Sequence, residues 1–520
     1  MKKIKSLLLI VICFFAIATV TACKKKKPTP TPTPTICTSH VDNNNDNVCD
    51  VCGTKMQSQG GSETSYDFMG ADFIIMVDLP ESVDPRLGTY QKQYQEEKKA
   101  LIEKVEKKYN LHVVYKQYPS SASWGGARER YIIENTINKT PQAHVYEIPS
   151  YSIGSLAVNN AISPLDDYIK KYGNPTIWPE SLAYGSALGH VYGYSDIYPL
   201  SDEGIYYNMD LLEKYLGEGN GDLPSRMWLE GNWTWETFEN MCKQLNEVLP
   251  SDNYVIGGMT YNWAYQMLGA NGVHVVNTDL KSELATQAGI DTIGYLNRLY
   301  NTIRWDATTP TLDNATSTEM VKGKVAFHNG QSYWLFQDNK WNNRDFKIGY
   351  VPYPVGTNVK DTKNLTDYYC NDVYGKTQYC ISSSYSKSLV QPGYENSTLH
   401  DEIIFQIWSE LQYFPEADET GYASTEDWIE EYKYQRLKKY YGSESSVEAH
   451  VSVIQKAYPD YFYSLDEAKD QIEGSYMLTI QGAITSDGSD IRSTMINLTS
   501  MIHASFKEKY KLPDDYYDEK

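Results

Sequence analysis

Residues 72–148 open on DFIIMV (Asp72–Val77), carry LHVVY in their middle (Leu111–Tyr115) and close on AHVYEI (Ala143–Ile148). Each is a short, continuous apolar run, the pattern of a strand buried on both faces. Between the first two, Tyr90 to Tyr109 is charged and helical in period, with Leu101, Ile102 and Val105 on one face. Between the second and third, Arg128 to Ile137 is helical again. The order strand, helix, strand, helix, strand predicts an α/β domain with a parallel sheet and right-handed crossovers. Ligands in such sheets bind beyond the carboxyl ends of the strands, which places Trp124 and the stretch Glu147 to Tyr151 at the mouth of a site.

The rest of the chain is consistent with a globular α/β protein. It has 520 residues, 41% hydrophobic and 22% charged, enough for two to four domains with sizeable cores. Mean hydropathy is −0.52, and one apolar run alone is long enough to enter a membrane, so a polytopic membrane protein is excluded. A formal charge of −20 argues against a nucleic-acid partner, since phosphate binding needs an excess of Lys and Arg.

That apolar run is N-terminal. Lys2, Lys3 and Lys5 precede the run Ser6 to Ala22, which ends in Val20-Thr21-Ala22-Cys23. This reads as a secretory signal over residues 1–23. A cysteine directly after small residues resembles the lipobox of bacterial lipoproteins, which implies cleavage before Cys23, diacylation of that cysteine and a lipid anchor at the extracellular face of the cell membrane. Removal of three lysines takes the formal charge from −20 to about −23. Residues 24–35 follow as four lysines, suited to anionic head groups, and a Thr-Pro repeat that favours an extended stalk.

Residues 36–56 form a small Cys/His module. Cys37-x2-His40-x8-Cys49-x2-Cys52 offers four ligands in two knuckles, a pattern that closes a structural, tetrahedral zinc site. A disulfide with a spare thiol is the alternative in an oxidising compartment. Asp42-x-Asn44-x-Asp46 looks like the start of a calcium loop but lacks its closing Glu. Residues 57–65 read as a linker to the main domain, 66–520. There, Cys370 and Cys380 are spaced to bridge a hairpin, and Cys242 reads as a buried thiol.

Further motifs run along the main domain. They are Ala161-Ile162-Ser163-Pro164-Leu165-Asp166-Asp167-Tyr168-Ile169, Val191-Tyr192-Gly193-Tyr194, Gly204-Ile205-Tyr206-Tyr207-Asn208 before Met209-Asp210-Leu211-Leu212, Thr234-Trp235-Glu236-Thr237-Phe238, and Gly323-Lys324-Val325-Ala326-Phe327 before Gly330 and Trp334. Thr234 reads as a helix N-cap, with Glu236 at the positive end of the dipole. Gly323 and Gly330 read as bracketing a strand and loop that face a cleft. In this order and spacing the motifs resemble the family-1 extracellular solute-binding proteins of ABC importers, the maltodextrin-binding type, over roughly residues 70–420.

The resemblance implies a two-lobed, periplasmic-binding-protein-like (type II) fold with a hinge. Lobe one would comprise 66–200 and 345–420, and lobe two 201–344 and 421–520. It implies a small-molecule solute held in the cleft between lobes, ABC permease and ATPase subunits as partners, and no covalent chemistry or cofactor in the main domain. Placed on the family pattern, the ligand-binding positions are Trp124, Glu147, Tyr151, Asp196, Asp202, Tyr261, Trp263 and Trp334.

The 45 tyrosines and 11 tryptophans suit a carbohydrate, mono- or oligosaccharide, because sugar C–H faces stack on rings while hydroxyls bond to neighbouring acceptors. Peptides and polyamines remain open as cargo, and the acidic balance disfavours anions. Among enzymes, a glycoside hydrolase is the obvious rival, but nothing sets two carboxylates across a substrate, and no G-x-S-x-G, H-E-x-x-H or P-loop occurs. A surface adhesin or sensor lipoprotein without transport is the second alternative.

Overall fold

A computed structural model describes residues 67–518 except 91, 93, 124, 175–176, 308–317, 337–339, 384–396, 415–433, 435–436 and 470–473. The signal, the stalk, the Cys/His module, Cys23 and Trp124 lie outside the described residues. Two sheets organise the rest.

The first sheet has the spatial order Thr377–Ile381, Val145–Pro149, Ala71–Val77, Leu111–Gln117. The three strands read from sequence are parallel, with Ala71 opposite Leu111 and Ile75 opposite Val145. The fourth arrives from far along the chain and runs antiparallel, Thr377 opposite Pro149. Both faces are covered. Phe73, Ile75 and Val77 bury against Ile102, Val105 and Trp408, while Met76, Tyr146 and Ile148 bury against Ile132, Ile153 and Leu156. Each such side chain contributes about 1.5–3 kcal/mol, which is why these strands carry unbroken apolar runs.

The helix expected from Tyr90 begins instead at Gln95 and runs to Tyr109. Tyr94 sits in the left-handed region at φ 58°, and the Gln95 amide donates to the Pro85 and Leu87 carbonyls, so the preceding segment folds back on itself. Glu96 and Glu97 occupy the first turn and Lys107 and Lys108 the last, each complementing the helix dipole.

The second sheet has the order Ile348–Val351, Glu203–Asn208, Val325–Gln331, Tyr254–Gly257, Trp305–Asp306. Glu203–Asn208 is antiparallel to both neighbours, and the remaining pairs are parallel. Asn208 caps the helix Met209–Leu216 by accepting the Leu211 N–H at 3.0 Å. Thr234 caps Trp235–Val248 as expected, in a reciprocal box with Thr237. The helices Gln287–Thr302, Tyr476–Thr485 and Ile491–Tyr510 complete this core.

Several expectations are corrected. Residues 345–372 belong to lobe two, not lobe one, because Ile348–Val351 pairs with Glu203–Asn208. The chain returns to lobe one between Asp372 and Thr377. In the C-terminal part, Ala457–Pro459 is a strand paired with Cys370–Asp372. Cys370 and Cys380 are not bridged. They lie in different sheets as buried free thiols, and Cys242 is buried as expected. Gly330 admits protein, not ligand: a Cβ there would lie 2.5 Å from the Trp341 ring. Among the described residues no helix is long and apolar enough to cross a membrane.

Candidate functional site

The chain passes between lobes at Leu200–Glu203 and again at Asp372–Thr377, two crossings that lie where the carboxyl ends of the lobe-one strands point; a third passage falls between Phe414, in the core of lobe one, and Leu437, in the core of lobe two. There Glu147 accepts the Asp78 N–H at 2.8 Å, and the Tyr118 hydroxyl donates to the Glu147 carbonyl at 2.9 Å. Buried Arg128 donates to Asp78 at 2.8 Å and lies 4.2 Å from the Tyr118 ring centroid. Burial raises the Glu147 pKa, opposed by the Asp78 N–H and the Arg128 charge.

The two crossings carry a charged cluster. Lys376 lies 3.0 Å from Asp372 and 3.9 Å from Asp202. Next to Asp202, Glu203 accepts a hydrogen bond from the Gln331 amide. Burial, then the Asp202 charge, push the Glu203 carboxyl up to about 8, so it is largely protonated at neutral pH. The Ser332 hydroxyl donates to Asp202 at 3.0 Å. Tyr333 follows, its ring close enough to feel the charges of Glu203 and Asp202. It is 39% exposed, and among the described residues no other Tyr, Trp or Phe is as open.

A tyrosine cluster lies beside the second crossing. Ring centroids of Tyr151 and Tyr463 are 6.0 Å apart, those of Tyr463 and Tyr374 4.8 Å, and those of Tyr261 and Tyr265 5.9 Å. The Tyr374 hydroxyl bonds to Asn262. Helix Thr260–Gly269, buried at every position, supplies Tyr261, Asn262 and Tyr265 from lobe two. Burial raises the hydroxyl pKa of Tyr151, Tyr265, Tyr374 and Tyr463, so these groups stay neutral hydrogen-bonding groups.

Of the positions singled out from sequence, the structure brings Glu147, Tyr151, Asp202 and Trp334 to this region. Trp334 is 5% exposed and packs edge-on against Trp341 at 5.0 Å, so it serves as backing to Tyr333 more than as a free platform. Tyr261 is fully buried behind Tyr265. Trp263 is a core residue: its indole N–H donates to Gly257 O, and its ring packs on Phe238 and Trp305. Asp196 sits elsewhere, 2.7 Å from Lys98 in a recess of lobe one. Tyr90, Lys92, Tyr115, Tyr379, Trp408 and Gln412 also line that recess, which is partly open to solvent. The sequence reading missed Glu203, Tyr333, Tyr374, Lys376 and Tyr463. Tyr333 stands beside a quoted motif residue, and the others carried no signal. Among the described residues no group of three or more His, Cys, Asp or Glu is placed to hold a metal.

Comparison with known proteins places this geometry. Residues 100–383 match the family described as bacterial extracellular solute-binding protein. No curated protein matches significantly. Among solved structures, the sugar-binding protein MalE of Xanthomonas citri aligns with a TM-score of 0.54 at 13% identity, covering 84% of this chain and 98% of that one. An ABC substrate-binding protein of Listeria monocytogenes in complex with cycloalternan aligns at 0.51 and 13%, covering 84% and 98%. UgpB of Mycobacterium tuberculosis in complex with glycerophosphocholine aligns at 0.51 and 13%, covering 85% and 99%. At these identities the likeness is one of fold.

Proposed function

Because the chain belongs to the bacterial extracellular solute-binding proteins, we propose that it captures a carbohydrate between its two lobes and delivers it to an ABC importer. Tyr333 carries the reading. It presents an open aromatic face at the first crossing, beside the acceptors Asp202 and Glu203 and the amide of Gln331. A pyranose ring needs that combination: a π-face for its C–H bonds and flanking groups for its hydroxyls. The sugar ligands of two proteins that share the fold support it. The Asp202 carboxylate disfavours an anionic solute such as a phosphodiester. Closure is the whole mechanism: a solute that touches both lobes stabilises the closed state by its higher affinity for it, and no bond is made or broken.

The test is intrinsic tryptophan fluorescence and thermal shift against mono- and oligosaccharides, peptides, polyamines and glycerophosphocholine. A saturable response to one sugar class, weakened in Tyr333→Ala, is expected, since binding raises the apparent melting temperature by mass action. A response to peptides or polyamines alone would remove the carbohydrate from the reading and leave capture intact. No response to any class would favour an adhesin or sensor.

The N-terminal region extends the proposal. Lipidation of Cys23 tethers the protein at the extracellular face of the cell membrane, with residues 24–35 as the spacer, and permease and ATPase subunits complete the importer. Cys37, His40, Cys49 and Cys52 hold a structural zinc. One equivalent of zinc in the purified chain, with these thiols reduced, is the expected composition, and a disulfide between two of them would overturn it.

A further inference from the structure

Lys376 is bonded into both lobes. Its N–H donates to Ser150 Oγ at 3.0 Å, and its carbonyl accepts the Ser150 N–H at 2.8 Å. These two bonds clamp its backbone to lobe one, just past the end of strand Val145–Pro149. Gly375, at φ +74°, makes this contact possible: a Cβ there would meet Ser150 Oγ at 2.9 Å and Tyr151 at 3.0 Å. The ammonium of Lys376 points the other way, 3.0 Å from Asp372 and 3.9 Å from Asp202.

The two carboxylates are not equivalent. Asp372 is four residues away, at the lobe-two end of the same crossing. Asp202 is on the other crossing, immediately before the first strand of lobe two. Any rotation of the lobes therefore changes the Lys376–Asp202 distance, and the Lys376–Asp372 pair, which spans the crossing itself, resists the same motion. In a partly buried site the Coulomb energy depends steeply on that distance. Burial works against the ammonium, yet Asp372 and Asp202 hold its pKa above the ordinary value, so it stays a cation. Glu203, with Gln331 on its carboxyl, is the third acid facing it. The Tyr184 hydroxyl lies against Asp372, and Cys370, Tyr333, Tyr353 and Tyr374 lie within electrostatic reach of the Glu203 carboxyl. Lys456 is the further cation near Cys370.

We propose that Lys376 is a positioning residue for solute capture: with its backbone fixed to Ser150, its ammonium, shared between Asp372 and Asp202, sets the resting angle between the lobes and so the free energy of closure. The proposal rests on the closing of two lobes and not on the solute being a sugar. A ligand's apparent affinity scales with the fraction of molecules in the competent state, so a residue that touches no solute still sets affinity.

The test uses the full chain with nitroxides on non-natural amino acids at Lys170 in lobe one and Glu218 in lobe two, both exposed. Double electron–electron resonance reads the distance between lobes without solute, and maltotetraose is the probe for binding. Lys376→Met is expected to move the solute-free distance and to change maltotetraose affinity about tenfold. Lys376→Arg, which keeps the charge, is expected to retain the wild-type distance. Asp202→Asn is expected to move the distance in the same sense as Lys376→Met, and carries the test alone should the lysine variant fail to fold. A wild-type distance in both Lys376→Met and Asp202→Asn would overturn the proposal, as would an arginine variant displaced as far as the methionine one. A chain that ignores maltotetraose would count against the carbohydrate reading, while the solute-free distances would still decide the role of Lys376.

Discussion

Replacing Glu203 with glutamine keeps the side chain's size and its bond from Gln331 and mimics the neutral acid while removing its titration. In the folded chain burial and Asp202 raise this carboxyl from the ordinary 4.5 to about 8. Between those values the folded protein holds a proton that the unfolded chain has lost, so Glu203 makes stability fall as pH rises. Below pH 4.5 both states are protonated and the penalty vanishes. At about 1.4 kcal/mol per pH unit, the loss accumulates to about 5 kcal/mol by pH 8, an upper bound because Lys376 can move towards the new charge. Urea unfolding of wild type and Glu203→Gln, followed by tryptophan fluorescence from pH 4.5 to 9, measures it. The two should have similar stability at the acid end, and the variant should become the more stable by several kcal/mol at pH 8.5. Titrating groups remote from Glu203 cancel in that difference. Parallel curves, or a wild type that gains on the variant as pH rises, would refute the placement of Glu203 in a dry, acid-flanked site.

Three further outcomes are expected. Tyr333→Ala should weaken sugar binding roughly fivefold, the value of about 1 kcal/mol of ring stacking, with an unchanged melting temperature in the absence of solute; calorimetric titration and a thermal melt check both. Thr234→Ala should cost about 1 kcal/mol of stability by freeing the Thr237 amide it caps, read from the denaturation midpoint at constant slope. Gly330→Val should be destabilised by at least about 1–3 kcal/mol, because its Cβ would lie 2.5 Å from the Trp341 ring, and near-ultraviolet circular dichroism should report the displaced indole.

The strands at the centre of lobe one were legible because they are covered on both faces, which leaves unbroken apolar runs in the sequence. The helix cap at Thr234 was legible, since capping is local chemistry, whereas Asn208 was quoted only as a motif residue. The boundary of lobe one was not. IGYV at Ile348–Val351 pairs with Glu203–Asn208, a choice made by three-dimensional neighbours and invisible to periodicity. Trp263 was misread for a related reason: helix Thr260–Gly269 is buried all round, so nothing in its pattern separates a core ring from a cleft ring. Glu203 and Lys376 matter through contacts across the two crossings, and no local spacing announces such contacts. Tyr333 drew no notice beside Trp334, although the tryptophan turned inward and the tyrosine stayed open.

The antiparallel strand Thr377–Ile381 closes the sheet of lobe one only after the whole of the second sheet has been laid down in sequence. Neither lobe is therefore a unit that a growing chain can finish early. Lobe one lacks an edge strand until Ile381 has been made, and lobe two lacks the helices Tyr476–Thr485 and Ile491–Tyr510 until synthesis is nearly complete. Pairings of such long sequence separation form slowly. A chain with this topology stays loose for longer than one built from successive hairpins.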